Sequence, residues 1–205
     1  VNDLPEESVN VVFEDRKNPD LLFVGTDFGV YVSHNVGMSW TKMQNNMPKV
    51  AVHDLLIHPR ENDLVVGTHG RGIFITDISP LQELTEKVLN SEVYLFVPEP
   101  KKLATISTSM FDGFNGHRHF TAENAAQGLT VYYFLKDAVE ELVQVVITDP
   151  YGRKLKTIKA KNEKGIHKVT WALRPTRRRP DVTGQYLVTL EIGEKKLTQK
   201  ARILK

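Results

Sequence analysis

The chain has 205 residues, of which 40% are hydrophobic and 25% charged, and its formal net charge is +2. These values are typical of a folded protein with one domain or with two domains of about 100 residues. Cysteine is absent, which excludes disulfides, thiolate catalysis and cysteine metal sites. No apolar run of about 18 residues occurs, so the sequence predicts no membrane-spanning helix. The chain begins without a start methionine or a signal peptide, and we expect it to be part of a longer protein.

The two ends of the chain carry opposite charge. Residues 1–150 hold 11 Lys/Arg and 21 Asp/Glu, whereas residues 151–205 hold 16 Lys/Arg and 4 Asp/Glu. A basic segment can bind an anionic partner. The alternative, which we favour, is that the basic residues face the acidic part of the protein or are solvated.

A hairpin pattern occurs twice in the first half of the chain. Residues 21–33 and 63–76 each read as a strand, a short glycine-bearing turn and a second strand. Gly29 and Gly72 occupy the same place in the two copies and are 43 residues apart. Because a period of about 40–45 residues is typical of propeller blades, the repeat predicts two neighbouring β-propeller blades of the four-stranded antiparallel type.

The first hairpin runs into the octapeptide Ser-His-Asn-Val-Gly-Met-Ser-Trp. This pattern resembles the Asp-box of the bacterial neuraminidase repeat, found in sialidase-type and sortilin-type propellers. The resemblance implies a structural turn in which the third residue bonds backbone N–H groups, glycine adopts an unusual conformation and tryptophan anchors the blade. An asparagine stands where the family prefers aspartate, and we expect the turn to survive the change. The predicted structural residues are Ser33, Asn35, Gly37, Ser39 and Trp40.

The second repeat carries no second Asp-box. Residues 50–81 resemble the closing blades of large bacterial sortilin-like repeat proteins, which are often labelled glycosyl hydrolases from the repeat alone. The resemblance covers residues 1–97, which we assign to a partial propeller. Within it, residues 79–91 predict a short helix that begins with Ser79 as its N-cap.

The rest of the chain predicts a linker and a second domain. Residues 98–120 are rich in Pro, Ser, Thr and Gly and read as the linker. From residue 121 onward, six or seven short alternating strands over about 85–100 residues predict a β-sandwich, with Trp171 and Tyr186 in its core. The motif Gly-x-x-x-Val-x-Trp-x-Leu-Arg followed by Gly-x-Tyr-x-Val-x-Leu resembles the Ig-like domain of the flagellar hook-capping type. The sequence as a whole therefore predicts an all-β protein, with about two propeller blades followed by an Ig-like sandwich over residues 121–205.

Four residues of the second repeat could face a ligand. His53 and Asp54 precede the hairpin, and His69 and Arg71 lie in its turn. A cluster of these residue types could bind a carboxylate or carry out acid–base chemistry. The alternative, which we favour, is that they are turn residues that bond the backbone.

Two further segments could bind a ligand. Arg177, Arg178 and Arg179 lie between two prolines and could bind phosphate or an acidic polymer, although a solvated loop is the favoured interpretation. No aromatic residues are interleaved with them, so a nucleic-acid partner is not predicted. His117 and His119 have a spacing that could chelate a metal, but no third ligand is evident, and we predict no metal site and no cofactor.

A complete catalytic site is not expected. A sialidase-type site needs several arginines, a tyrosine nucleophile with its partner acid and a general acid, drawn from several blades. Residues 1–97 contain only Arg16, Arg60 and Arg71. Whether the parent protein is an enzyme is left open, and if it is, the resemblance implies a glycoside hydrolase.

Two hypotheses on function remain. The first is a non-catalytic binding or scaffolding module of an exported bacterial protein, which engages protein or glycan. The second is the C-terminal fragment of a sialidase-like glycosyl hydrolase whose catalytic residues lie in upstream blades. The resemblance implies a secreted, periplasmic or cell-surface location. Two blades leave open sheet edges, so we expect these edges to be covered by the sandwich, by the 79–91 helix or by self-association.

Overall fold

The computed structural model describes residues 3–44, 46–102, 128–173 and 183–204. Strands dominate these ranges and only two short helices occur in them, so the predicted all-β class is confirmed. The chain divides into two compact units, Val1–Ser91 and Glu92–Lys205. Within the described ranges, no helix has the length and apolarity needed to cross a membrane.

The first unit contains two antiparallel meanders, one from each copy of the sequence repeat. Sheet 1 contains β1 (Val9–Glu14), β2 (Leu22–Thr26), β3 (Gly29–Ser33) and β4 (Thr41–Lys42). Sheet 2 contains β5 (Val52–Ile57), β6 (Asp63–Thr68) and β7 (Ile73–Asp77). Strands that are neighbours in the sequence are also neighbours in each sheet, and each neighbouring pair is antiparallel. Sheet 1 thus has four strands, and sheet 2 has three described strands.

The two meanders pack face to face. Side chains alternate between the two faces of a strand, so each sheet has what we call an A face and a B face. The A face of sheet 1 consists of Val11, Phe13, Phe23, Gly25, Val30 and Val32. The B face of sheet 2 consists of Leu55, Ile57, Leu64, Val66, Phe74 and Thr76. The apolar residues of both sets belong to one hydrophobic cluster, so the first unit has a single core between its two sheets.

Two helices, α1 (Ser79–Gln82) and α2 (Glu86–Asn90), follow sheet 2 in place of the single predicted helix. Ser79 is the first helical residue and Ile78 occupies the N-cap without a side-chain bond, so the predicted cap is wrong. The break occurs at Thr85, whose backbone is extended (φ −77°, ψ 166°) and whose side chain caps α2 by accepting a bond from the Val88 N–H.

The second unit is built from two sheets. Its strands are β8 (Val93–Leu95), β9 (Lys101–Lys102), β10 (Gly128–Leu135), β11 (Val143–Thr148), β12 (Lys154–Lys159), β13 (Gly165–Ala172), β14 (Gly184–Ile192) and β15 (Lys195–Leu204). One sheet has the order β13-β10-β8 and the other the order β12-β11-β14-β15-β9. Their pairs are antiparallel except for β15 with β9, which is parallel. The core contains Tyr133 and the inward aliphatic residues of β10, β11 and β14, with Trp171 and Tyr186 packed against it.

The observed units differ from the predicted domain limits. The sequence places residues 93–97 at the end of the propeller, whereas β8 pairs with β10 of the second unit, with Leu95 opposite Tyr133. The reason is that Leu95 of β8 lies on the same sheet face as Tyr133 and is buried with it in the core of the second unit. Strand β9 lies inside the predicted linker 98–120 and pairs with β15. Most of that linker lies outside the described residues.

Candidate functional site

The five residues of the octapeptide that resembles an Asp-box form a closed turn after β3. The Oδ1 atom of Asn35 accepts a bond from the Ser39 N–H at 2.9 Å and another from the Ser33 hydroxyl at 2.9 Å. The Ser33 Oγ in turn accepts from the Gly37 N–H at 2.8 Å. The Asn35 amide also donates to the Ser39 Oγ at 2.8 Å, a bond that an ionised aspartate could not donate. At the same place an aspartate oxygen would accept a bond from the Ser39 hydroxyl, so asparagine closes the turn with the same number of bonds as the acid.

Gly37 and Trp40 complete this turn. Gly37 has φ +80°, and a Cβ there would lie 3.3 Å from the Trp40 ring and 3.7 Å from Leu22. The indole therefore closes over a position that only glycine fits without strain. The backbone N–H of Trp40 donates to the Asp3 carboxylate at 2.8 Å, and this bond joins the turn to the start of the unit. The structure thus brings all five predicted box residues into one turn.

His34 is a residue of this turn that the sequence did not single out. Its side chain is largely buried, and its Nδ1 atom has no hydrogen-bond partner within the described chain. Burial lowers the pKa of His34, because the charged imidazolium loses hydration. The turn therefore favours the neutral form of His34 over the charged form.

The predicted ligand-facing residues lie on sheet 2. The imidazoles of His53 and His69 are brought together, with ring centroids 5.2 Å apart and planes tilted by 42°. Asp54 accepts a bond from the Leu55 N–H at 2.9 Å, as a residue that bonds the backbone would. Arg71 lies in the turn between β6 and β7, and all four predicted residues are exposed. Their arrangement is a surface pair of histidines on a strand edge, not an enclosed pocket.

A cleft of about 280 Å³ in the first unit was not anticipated from the sequence. It is lined by Phe28, Gly29, Lys42, Met47 and Lys49, among others. The Lys49 ammonium lies 4.3 Å from the centroid of the Phe28 ring, and the Lys42 ammonium lies 5.5 Å from the centroid of the Tyr31 ring. The cleft thus combines two cations with an exposed aromatic ring.

Gly29 shapes this cleft. Its φ is +143°, and a Cβ there would lie 3.2 Å from the Lys42 side chain and 3.8 Å from the Met47 methyl group. The missing side chain lets the Lys42 stem lie along the backbone at the β2–β3 turn. The sequence holds no pattern that joins Phe28 to two lysines in a later segment, so only tertiary packing reveals the cleft.

A second cavity, of about 570 Å³, lies in the second unit and is lined by residues of both charges. Lys195 bonds Glu92 at 2.9 Å, and this hydrogen bond lowers the pKa of Glu92. Lys136, Asp137 and Glu141 also line the cavity. Because positive and negative groups alternate around it, this cavity offers no field of one sign to a charged ligand.

The remaining predicted candidates cannot be placed in a site. Arg177, Arg178 and Arg179, together with His117 and His119, lie outside the described residues. Within the described ranges, no group of three or more His, Cys, Asp or Glu side chains is arranged to hold a metal ion.

The fold and its sites define an all-β protein with a two-meander unit and a two-sheet unit. No family model matches the chain, and no curated protein matches it. One similar solved structure is PorZ, an essential bacterial surface component of the type-IX secretion system of Porphyromonas gingivalis. Its TM-score is 0.34 at 18% identity, over 97% of this chain and 23% of PorZ. Two structures of an extracellular domain from B. thetaiotaomicron have TM-scores of 0.29, at 11% and 13% identity, and cover 100% and 98% of this chain and 26% of theirs.

Proposed function

We propose that this chain is a non-catalytic binding module of an exported bacterial protein and that its ligand is a glycan that bears carboxylates. The observation that carries the proposal is the cleft in which the Lys49 ammonium lies beside the Phe28 ring, with Lys42 as a second basic residue in its lining. An aromatic ring offers an apolar surface to a sugar ring, and an ammonium group forms charge-assisted hydrogen bonds with a carboxylate. The export of the parent protein rests on the family resemblance of the repeat.

The surroundings of the cleft support binding without catalysis. The Asp-box residues bond one another and the backbone, so we assign them a structural role. His53 and His69 lie exposed on sheet 2 and have only each other as a described ring neighbour. A general acid–base pair works within hydrogen-bond reach of a bound substrate, usually in a site that excludes water.

A glycan array probed with the full chain tests this function. We expect acidic glycans to be retained and their neutral counterparts not. Lys42→Gln and Lys49→Gln should each weaken binding about 5- to 30-fold, because each removes one charge-assisted bond of about 1–2 kcal/mol. Lys87→Gln is the matched control, since Lys87 is an exposed lysine on α2 of the same unit and does not line the cleft.

Two outcomes would contradict the proposal. A blank array removes the glycan as the ligand class. If the Lys42 and Lys49 variants bind acidic glycans as tightly as the unsubstituted chain does, the binding surface lies outside the cleft.

A further inference from the structure

His53 and His69 form a pair of imidazoles on the surface of sheet 2. His53 lies in strand β5, and His69 directly follows strand β6. Both side chains are exposed, and their ring centroids are 5.2 Å apart. Neither imidazole forms a hydrogen bond with another described residue. Since a neutral imidazole always carries one unprotonated nitrogen, each ring has a lone pair to offer to a ligand.

The backbone beneath the pair is fixed by the ladder that joins β5 to β6. The register of the two strands shifts between Val52 and Asp54, so His53 is the extra residue of a β-bulge, a feature that re-aims a side chain. The N–H of His69 donates to the Ala51 carbonyl at 2.9 Å, which extends the ladder beyond the end of β6. Only side-chain torsions therefore remain to be ordered when the two rings bind a common ligand.

The separation of the two rings is that of two ligands on one tetrahedral metal ion. Zinc lies about 2.0–2.1 Å from an imidazole nitrogen and thus about 3.2 Å from the ring centroid. Two imidazoles on tetrahedral zinc therefore have centroids about 5.2 Å apart, whereas the right angle of a square-planar ion brings them to about 4.5 Å. Turning a ring about its Cβ–Cγ bond leaves the centroid in place, because the centroid lies on that axis. Each ring can thus aim a nitrogen at a shared ion without moving from its observed place.

The two imidazoles are the whole ligand set that the described residues supply here. The carboxylate of the neighbouring Asp54 accepts a bond from the Leu55 N–H, and no third His, Cys, Asp or Glu of the described ranges joins the pair. Imidazole suits transition metals such as zinc, whereas magnesium and calcium prefer oxygen ligands. The ligand type and the separation of the rings together select zinc.

We propose that His53 and His69 bind one Zn²⁺ ion, each through one ring nitrogen, with water in the remaining coordination positions. This site is separate from the cleft of Phe28 and Lys49, and neither histidine lines that cleft. Zinc binding at the pair is therefore independent of the glycan binding proposed above.

Titration of the full chain with Zn²⁺ alone tests the proposal. We expect calorimetry to give one ion per chain and the ring proton resonances of His53 and His69 to shift together. His53→Ala and His69→Ala should each weaken zinc binding at least about tenfold, because a single imidazole loses the advantage of chelation. Mg²⁺ should shift neither ring resonance. Without zinc, both variants should keep the thermal midpoint of the parent chain, since both side chains are exposed.

Other histidines of the chain provide matched controls. His58 lies in the same unit, and its Nδ1 accepts a bond from the Glu61 N–H, so His58→Asn keeps an acceptor there and should bind zinc as the parent chain does. The double variant His117→Ala/His119→Ala removes the other two histidines whose spacing could chelate a metal, and it should also bind zinc unchanged.

Three results would overturn the proposal. The first is a parent chain that binds no zinc at millimolar concentration. The second is zinc binding that survives in His53→Ala and His69→Ala, or that is lost in the double variant, because the ligands would then lie elsewhere. The third is half a zinc ion per chain together with dimers by light scattering, because a second pair of histidines, and not water, would then complete the coordination.

Discussion

Replacing Gly25 by alanine tests the contact between the two sheets of the first unit. The added methyl group would lie 2.6 Å from Val52 Cγ1 and 2.7 Å from Val11 Cγ1, well inside van der Waals contact. Val52 is completely buried and cannot swing into solvent. The clash must therefore be relieved by a shift of one sheet against the other.

The expected cost follows from two opposing effects. Overpacking a core by one methyl group typically destabilises a protein by about 1–3 kcal/mol. Replacing glycine by alanine also restricts the unfolded chain, which returns about 0.4–1 kcal/mol where the native backbone is compatible. We expect Gly25→Ala to lower the free energy of unfolding by about 1–2 kcal/mol. Gly67→Ala is the matched control and should be neutral or stabilising, because the same methyl group meets only Asp54 at 3.5 Å.

Urea unfolding followed by tryptophan fluorescence measures the effect. The chain has two tryptophans, Trp40 in the first unit and Trp171 in the second, so a Trp171→Phe background restricts the signal to the first unit. In the double variant Gly25→Ala/Val52→Ala, part of the clash is removed. The loss in free energy of unfolding should therefore be smaller than the sum of the losses in the two single variants. Equal tolerance of alanine at residues 25 and 67 would refute the packing described here.

Three further substitutions probe individual contacts. Asp15 is buried and accepts bonds from two backbone N–H groups and from the Gln82 amide. Asp15→Ala should therefore lower the free energy of unfolding in urea by about 2–4 kcal/mol, and a loss under about 0.5 kcal/mol would contradict these bonds. Burial raises the pKa of Tyr133 to about 12, and its hydroxyl donates to the Lys161 carbonyl, so the free energy of unfolding should fall above pH 10. Tyr133→Phe should cost about 1–2 kcal/mol at neutral pH and should reduce this alkaline loss. Burial lowers the pKa of His34 below 6.5, so the unfolded state binds a proton more readily than the folded state. The free energy of unfolding should therefore fall as the pH drops through 6.5, and urea unfolding of His34→Gln should not show this loss. If the variant keeps the same pH profile, another group causes the loss.

The sequence by itself determined the class of the protein and the pattern within each sheet. A hairpin repeated at 43 residues predicts two meanders, and period-2 alternation predicts which residues share a face. The octapeptide at residues 33–40 predicts its own turn, because its bonds join residues within that short segment. Such features are local, and local features can be read from spacing.

Only the tertiary structure decided which faces and strands meet. The two repeats have equivalent A faces, yet Gly25 lies beneath a second sheet whereas Gly67 lies open. The apolar segment at residues 93–97 is recognisable as a strand, but its pairing with β10 depends on a partner more than thirty residues away. The cleft of Phe28, Lys42 and Lys49 likewise depends on how the segment after β4 folds back. Spacing along the chain cannot show these choices, because contacts between residues distant in sequence are set by the burial of apolar surface in the folded chain.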